Sequence, residues 1–337
     1  MEYLLGKEMR PDKVKKGLIG NCEKEVASFE LNSQRFREIR LVNAEVCPIC
    51  KYKKFESFVK VRGLTWVVCL NCTHHFALKY PDAENLKLFY EQNSKDGKLE
   101  PYRIEDDDTL KYRLENVDKP KYESITKIKG RASSWLDIGA GLGNMLHLAK
   151  NDGWDVCGLE LSQFQADYAK EKYNIDLIQK DVIPFYNEDA TKTFDVITAM
   201  GYLDLIEDPI HSLSIIRKMI KKDGLLVVST PNANSFSAKL LQLWPESTIR
   251  LCTPVDRSLF TEKSLTYALR EAGFEPFKCW YFGLDYFDFY LHLSIKNTGF
   301  KNSEAGKILL ESFNEFQAVI DKNKLSDGMI IYSRANA

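Results

Sequence analysis

From residue 131 onward, short apolar runs alternate with amphipathic stretches. Strand-length runs separated by helical periodicity predict a parallel sheet wound with helices on both faces. Residues 134–138, 155–159, 176–179, 194–199 and 225–229 read as successive strands. Residues 144–151 and 163–173 read as helices between them, the first stopped by Gly153. Asp208 and Pro209 make a good helix start, with Asp as the cap and Pro at the first helical position. The apolar stripe Ile210, Leu213, Ile216 and Ile220 follows, and Gly224 is expected to end that helix. Residues 262–271 predict another helix, closed by Gly273, and residues 275–282 and 329–333 read as late strands.

The first 130 residues are patterned differently. Residues 1–45 form a charged N-terminal extension ending in a strand-like run over 40–46. Residues 46–80 hold two cysteine pairs, and residues 81–130 read as a helical connector broken by Pro101 and Pro120. Of 337 residues, 44% are hydrophobic and 28% charged, and the formal net charge of -1 argues against bulk nucleic acid as a partner. No run approaches the roughly 20 apolar residues that span a bilayer, so membrane insertion is not expected. The first 16 residues lack the apolar region of a signal peptide, which makes the cytoplasm the expected compartment.

Candidate chemistry begins at Asp137-Ile138-Gly139-Ala140-Gly141-Leu142-Gly143, between a strand and a helix. A sharp turn there needs residues that accept positive φ and have no Cβ to block a ligand. The dinucleotide fingerprint would place its third glycine at position 144. Asn144 stands there instead, and the leading Asp137 suits an amino group and a sulfonium better than a pyrophosphate. Glu160 ends the second strand, where an acid can accept from both ribose hydroxyls. Asp181 follows the third, where a carboxylate can take an adenine amino proton. Each acid could instead be a solvated cap.

These residues, with Gly158-Leu159-Glu160-Leu161-Ser162, Phe194-Asp195-Val196-Ile197, residues 222–232 and Ala272-Gly273-Phe274, resemble the class I S-adenosylmethionine (SAM)-dependent methyltransferases. The resemblance covers about residues 131–285. It implies an α/β fold, a Rossmann-like doubly wound sheet of seven strands with the last antiparallel. It also implies that the glycine loop holds the methionyl part of SAM, Glu160 the ribose and Asp181 the adenine. Ala140, Leu161, Val182 and Met200 are expected to line the same pocket.

Cys47-Pro48-Ile49-Cys50 and Cys69-Leu70-Asn71-Cys72 flank an 18-residue spacer that reads as a strand hairpin. Four thiolates so spaced can close a tetrahedral zinc site, which would leave no open position and so be structural. His74 and His75 are expected to stay outside that shell. A ribbon followed by Tyr80-Pro81, Phe89-Tyr90 and such a core, with residues 316–322 and 325–327 in the tail, looks like the zinc-containing methyltransferases of deoxysugar and surface-polysaccharide pathways. That wider resemblance implies a small-molecule acceptor, a sugar or a nucleotide- or glycan-linked sugar, with O-methylation the favoured outcome.

Many relatives carry Glu-His in the loop after the fourth strand. Here Asp204 and Leu205 stand in those places, so their mechanism does not transfer. Tyr202, Asp204 and His211 are the candidate proton acceptors, although His211 also reads as a surface histidine and Tyr202 as a pocket wall. Residues 234–260 form an insertion within the 131–337 core and are the candidate acceptor lid. Arg250 and Arg257 in it either pair with a phosphate or carboxylate or are solvated, the second being favoured. The aromatics between 280 and 290 read as core or a dimer face, and oligomerisation stays open. Two other readings remain: an RNA or protein methyltransferase using the ribbon to bind its partner, and a SAM-binding protein without turnover.

Overall fold

The computed structural model describes residues 1–81, 85, 106–130, 134–247, 250–253 and 256–336. Its centre is a sheet of seven strands in the order β1-β12-β13-β10-β9-β7-β8. These are β1 (Glu2–Leu5), β7 (Ser134–Ile138), β8 (Asp155–Leu159), β9 (Phe194–Met200), β10 (Ile220–Pro231), β12 (Phe274–Phe282) and β13 (Gly328–Ala335). Every pairing is parallel except those of β13, which runs antiparallel to both β10 and β12. The expected α/β class, the strand number and the single reversed late strand are present.

Two strand assignments differ from the sequence expectation. Residues 176–179 make only one bridge, Ile178 to Leu159. Leu177 and Ile178 are the only apolar residues between Asp176 and Gln179, too short a run to hold a ladder. The seventh strand comes from the charged extension instead. β1 lies along β12, Tyr3 stacks on Tyr281 with ring centroids 6.5 Å apart, and the Gly6 amide donates to the Tyr281 carbonyl. The helix opened by Asp208 also ends earlier than expected. It runs from Pro209 to Met219, and Ile220 is already extended and paired with Phe194; Gly224 falls in the irregular stretch before Leu225.

Alternation along β10 shows how the core divides. Leu226 and Val228 face one side and Leu225 and Val227 the other, as a pleated strand requires. The first side packs under α7 (Pro209–Met219), α9 (Glu262–Glu271) and the cysteine-bearing segment. The second packs under α3 (Lys119–Lys129), α4 (Asn144–Asn151) and α10 (Asp285–Lys296), with Trp135 fully buried and its Nε1–H donating to Thr198 Oγ1 at 2.9 Å. Earlier helices are α1 (Lys16–Arg37) and α2 (Asp107–Arg113); α5 (Gln163–Tyr173) and α6 (Val182–Glu188) fall between α4 and α7, α8 (Phe236–Leu243) between α7 and α9, and α11 (Glu304–Glu311) and α12 (Phe313–Lys322) follow α10. Much of the expected connector, Phe89-Tyr90 included, lies outside the described residues; 107–129 is helical throughout.

The spacer between the cysteine pairs is a hairpin of β3 (Phe55–Val61) and β4 (Leu64–Cys69), extended by β5 (His75–Ala77). Its outer strand is β11 (Ser258–Leu259), from the 234–260 insertion, giving the order β11-β5-β4-β3. A two-stranded ladder of β2 (Leu41–Asn43) and β6 (Lys79–Pro81) sits beside it. No helix among the described residues is long and apolar enough to cross a membrane.

Candidate active site and metal centre

The glycine loop leaves β7 with φ of +69°, +56° and +79° at Gly139, Gly141 and Gly143, a left-handed conformation that side chains with a Cβ rarely adopt. Crowding adds a second reason at Gly143, where a Cβ would sit 3.0 Å from the Ala169 Cβ. The amides of Gly139 and Ala140 donate to the Leu159 carbonyl, and those of Gly141 and Ser162 donate to the two oxygens of Glu160, all at 2.9 Å. Glu160 thus ties the loop after β7 to the loop after β8. α5 begins at once, with the Ser162 hydroxyl accepting from the Gln165 amide.

Asp137 is 3% exposed. Burial pushes its carboxyl up to about 7; Asp118 and Glu160 push the same way, while Thr198 and Lys121 oppose. Thr198 Oγ1 donates to Asp137 at 2.6 Å. Asp181 caps α6, accepting from the Val182 amide and from the Tyr202 hydroxyl, each at 2.6 Å. Tyr202 also packs on the glycine loop: a Cβ at Gly139 would lie 3.8 Å from its Cβ. Burial and the neighbouring Asp181 charge hold its phenol far above its ordinary value, so it stays a proton donor. The structure therefore brings Asp137, Gly139, Ala140, Gly141, Gly143, Glu160, Asp181 and Tyr202 to the carboxyl edge of β7, β8 and β9. Val182 is buried beneath this edge, Met200 is half-buried, and Leu161 is exposed over it.

Asp204 is 5% exposed, and its Oδ1 has no hydrogen-bond partner. Burial, reinforced by the Asp256 charge, pushes it up to about 8. Its main-chain carbonyl accepts from the Arg257 and Ser258 amides, which fixes the insertion against the loop after β9. His211 is exposed on the first turn of α7, where its amide donates to the capping Asp208. The arginines of the insertion are not solvated as favoured. Arg250 donates to Asp288 at 3.0 Å and to Asp327, and Arg257 stacks over Tyr80 with 4.2 Å to the ring centroid. Sequence reasoning missed Thr198 and Asp256. The signal for Thr198 was a polar residue between Ile197 and Ala199 in the apolar stretch of the strand; Asp256 had none, because only the fold carries it to Asp204.

Cys47, Cys50, Cys69 and Cys72 bring four sulfur atoms within 4.8 Å of one another. The Cys47–Cys72 and Cys50–Cys69 pairs are each 3.5 Å apart. A tetrahedral ion with metal–sulfur bonds of about 2.3 Å sets sulfurs about 3.8 Å apart, so the donor set fits one metal ion. Each Cys-x-x-Cys segment is a knuckle of the same build: the Lys51 amide donates to the Cys47 carbonyl and the Thr73 amide to the Cys69 carbonyl, with positive φ at both Lys51 and Thr73. His74 and His75 take no part. His74 is fully buried with Nε2 3.1 Å from Ser258 Oγ, and the His75 Nδ1 bonds the Thr73 carbonyl.

A sequence model described as a methyltransferase domain matches residues 108–278. A ubiquinone biosynthesis O-methyltransferase of Coxiella burnetii is 30% identical over 143 residues, covering 41% of this chain and 56% of its own. Its namesake from Aliivibrio fischeri is 25% identical over 184 residues, covering 50% of this chain and 74% of its own. The chain thus spans little more than half the length of the first of these relatives. Among solved structures, a SAM dependent methyltransferase from Archaeoglobus fulgidus is 18% identical, covering 74% of this chain and 99% of its own with a TM-score of 0.46.

Proposed function

The chain belongs to the methyltransferase-domain family, and from that premise we propose that it transfers the methyl group of SAM to an oxygen of a small molecule, with a sugar hydroxyl as the narrower reading. One observation carries the proposal: three acids, Asp137 near the end of β7, Glu160 just beyond β8 and Asp181 at the cap of α6, lie at the sheet edge that carries the left-handed glycine loop. Asp137 would face the cationic methionyl end, Glu160 the ribose hydroxyls, and Asp181 with the Val182 amide the adenine. The exposed Leu161 side chain would cover the base, and Ala140 and Met200 would line the remaining wall. When bound, SAM supplies an electrophilic methyl on a sulfonium, so the chain needs only to orient an acceptor and receive its proton. Asp204 is the residue of choice for that proton, since it is buried, its Oδ1 has no hydrogen-bond partner and its carboxyl is held up to about 8.

The small-molecule reading draws on the relatives named for O-methylation in ubiquinone biosynthesis, and the sugar reading on the ribbon-plus-core order. We assign the four thiolates one structural zinc ion, which would tie the 47–50 knuckle to the 69–72 knuckle at the open end of the β3–β4 hairpin. Calorimetric titration with SAM and S-adenosylhomocysteine tests the cofactor. Transfer of labelled methyl from SAM to hydroxylated small molecules, against total RNA in parallel, tests the acceptor class. Binding of neither nucleoside would overturn the cofactor reading, and label entering RNA alone would overturn the acceptor reading.

A further inference from the structure

The two arginines of the 234–260 insertion carry positive charge in sequence, but the fold neutralises them. Arg250 is enclosed by Asp288 and Asp327. Arg257 lies on the Tyr80 ring, donates to the Pro81 carbonyl at 3.3 Å and reaches Glu207 at 3.8 Å. The charge left unmatched where the insertion meets the loop after β9 is negative. Asp204 is 5% exposed, its Oδ1 meets no donor, and no ion pair reaches it among the described residues. Asp256, 9% exposed, accepts from the Thr253 amide at 2.8 Å and likewise has no ion pair among the described residues. The two acids are brought together by the main-chain bonds of Arg257 and Ser258 to the Asp204 carbonyl. Asp204 stands two residues beyond Tyr202, which packs on the glycine loop, so this pair borders the cofactor edge.

A buried carboxylate oxygen without a donor is costly, and the cost is relieved by a ligand that donates a hydrogen bond. An anionic ligand group there would meet the buried charge of Asp256, joined above about pH 8 by that of Asp204, and no free cation among the described residues. We propose that Asp204 and Asp256 form an acceptor subsite that takes a neutral or cationic hydrogen-bond donor, a hydroxyl or an amine, and rejects carboxylates and phosphates. The inference rests on the methyltransferase reading and deepens it by naming the charge class of the acceptor. A nucleotide-linked sugar would have to keep its diphosphate away from this subsite.

The test uses three probes with one ring skeleton and different charge: glucosamine, glucose and glucuronate. Their binding to the full chain, saturated with S-adenosylhomocysteine, is followed by saturation-transfer NMR. Glucosamine and glucose are expected to bind at least about tenfold more tightly than glucuronate, a difference of about 1.4 kcal/mol. In Asp256→Asn the ratio at pH 7 should fall to within about threefold while glucuronate binding improves, because like-charge repulsion has been removed; in Asp204→Asn the same fall is expected at pH 9, where Asp204 is ionised. Glucuronate binding as tightly as glucose, selectivity that survives both substitutions, or no binding of any probe would overturn the subsite. S-adenosylhomocysteine binding is measured first. Its retention alongside a failed probe series sinks only this inference, whereas its absence sinks the methyltransferase reading itself.

Discussion

Asp137 offers a direct test of how the cofactor site works. Its carboxyl is pushed up to about 7 by burial, so near neutral pH the free protein carries it about half protonated. The cationic end of SAM favours the ionised form, so binding should expel that proton. With a free-protein value of about 7 and a much lower one in the complex, affinity should be about elevenfold weaker at pH 6 than at its plateau and nearly flat above pH 8. Calorimetry in buffers of different ionisation heat should count about 0.9 protons released per cofactor at pH 6 and about 0.5 at pH 7. Asp137→Asn should remove both the pH dependence and the proton release. The same group sets a stability signature of defined sign. A carboxyl whose folded value is raised contributes stability that is fully present below its unfolded value near 4 and lost as pH rises through about 7. The full shift corresponds to roughly 4 kcal/mol. Asp137→Asn should therefore raise the Tm of the cofactor-free protein at pH 8 and leave it nearly unchanged at pH 4. An affinity that is level between pH 6 and 8, or a pH dependence that survives in Asp137→Asn, would refute the reasoning.

Other expectations are quicker to check. Cys72→Ser should reduce bound zinc, read by atomic absorption, from about one equivalent to below about half, and lower Tm by on the order of 10 °C, because a structural metal contributes folding free energy. Gly143→Ala should cost about 1–2 kcal/mol in denaturant unfolding, from the left-handed backbone, and more through the 3.0 Å approach to Ala169; SAM affinity should fall with it. His211→Ala should leave turnover within about twofold, since only the exposed main chain of that residue is engaged. Trp135→Ala should destabilise by about 3–5 kcal/mol, the usual cost of emptying a buried indole site.

The residues around the cofactor loop were legible because their constraints are local. Positive φ at three glycines and a cap at Asp208 are each set by neighbours within a few positions. The cysteine knuckles were legible for the same reason. What escaped depends on partners far away in sequence. Residues 2–5 carry three apolar side chains in a charged context, and only the open flank of β12 makes them a strand. Ile220 fits the helical stripe of α7 by spacing, yet its pairing with Phe194 prevails and the chain turns extended at that residue. Arg250 and Arg257 look solvated in sequence because Asp288, Asp327 and Tyr80 are contributed by other segments. The proximity of Asp256 to Asp204 arises in the same way.

The pairing of β1 with β12 also bears on how the chain is made. Glu2 lies opposite Lys278 and Leu5 opposite Tyr281, so this early strand has no partner until most of the chain has left the ribosome. The ribbon waits similarly, since its edge at His75 and Phe76 is closed only by Leu259 and Ser258. Contacts so distant in sequence slow folding, because the loop they close must be ordered before they stabilise anything. During synthesis Tyr3, Leu4 and Leu5 stay uncovered as a sticky apolar segment that other chains can pair with. A nascent chain stalled before residue 274 would lack that partner strand, and its vulnerability to aggregation would be greatest at β1.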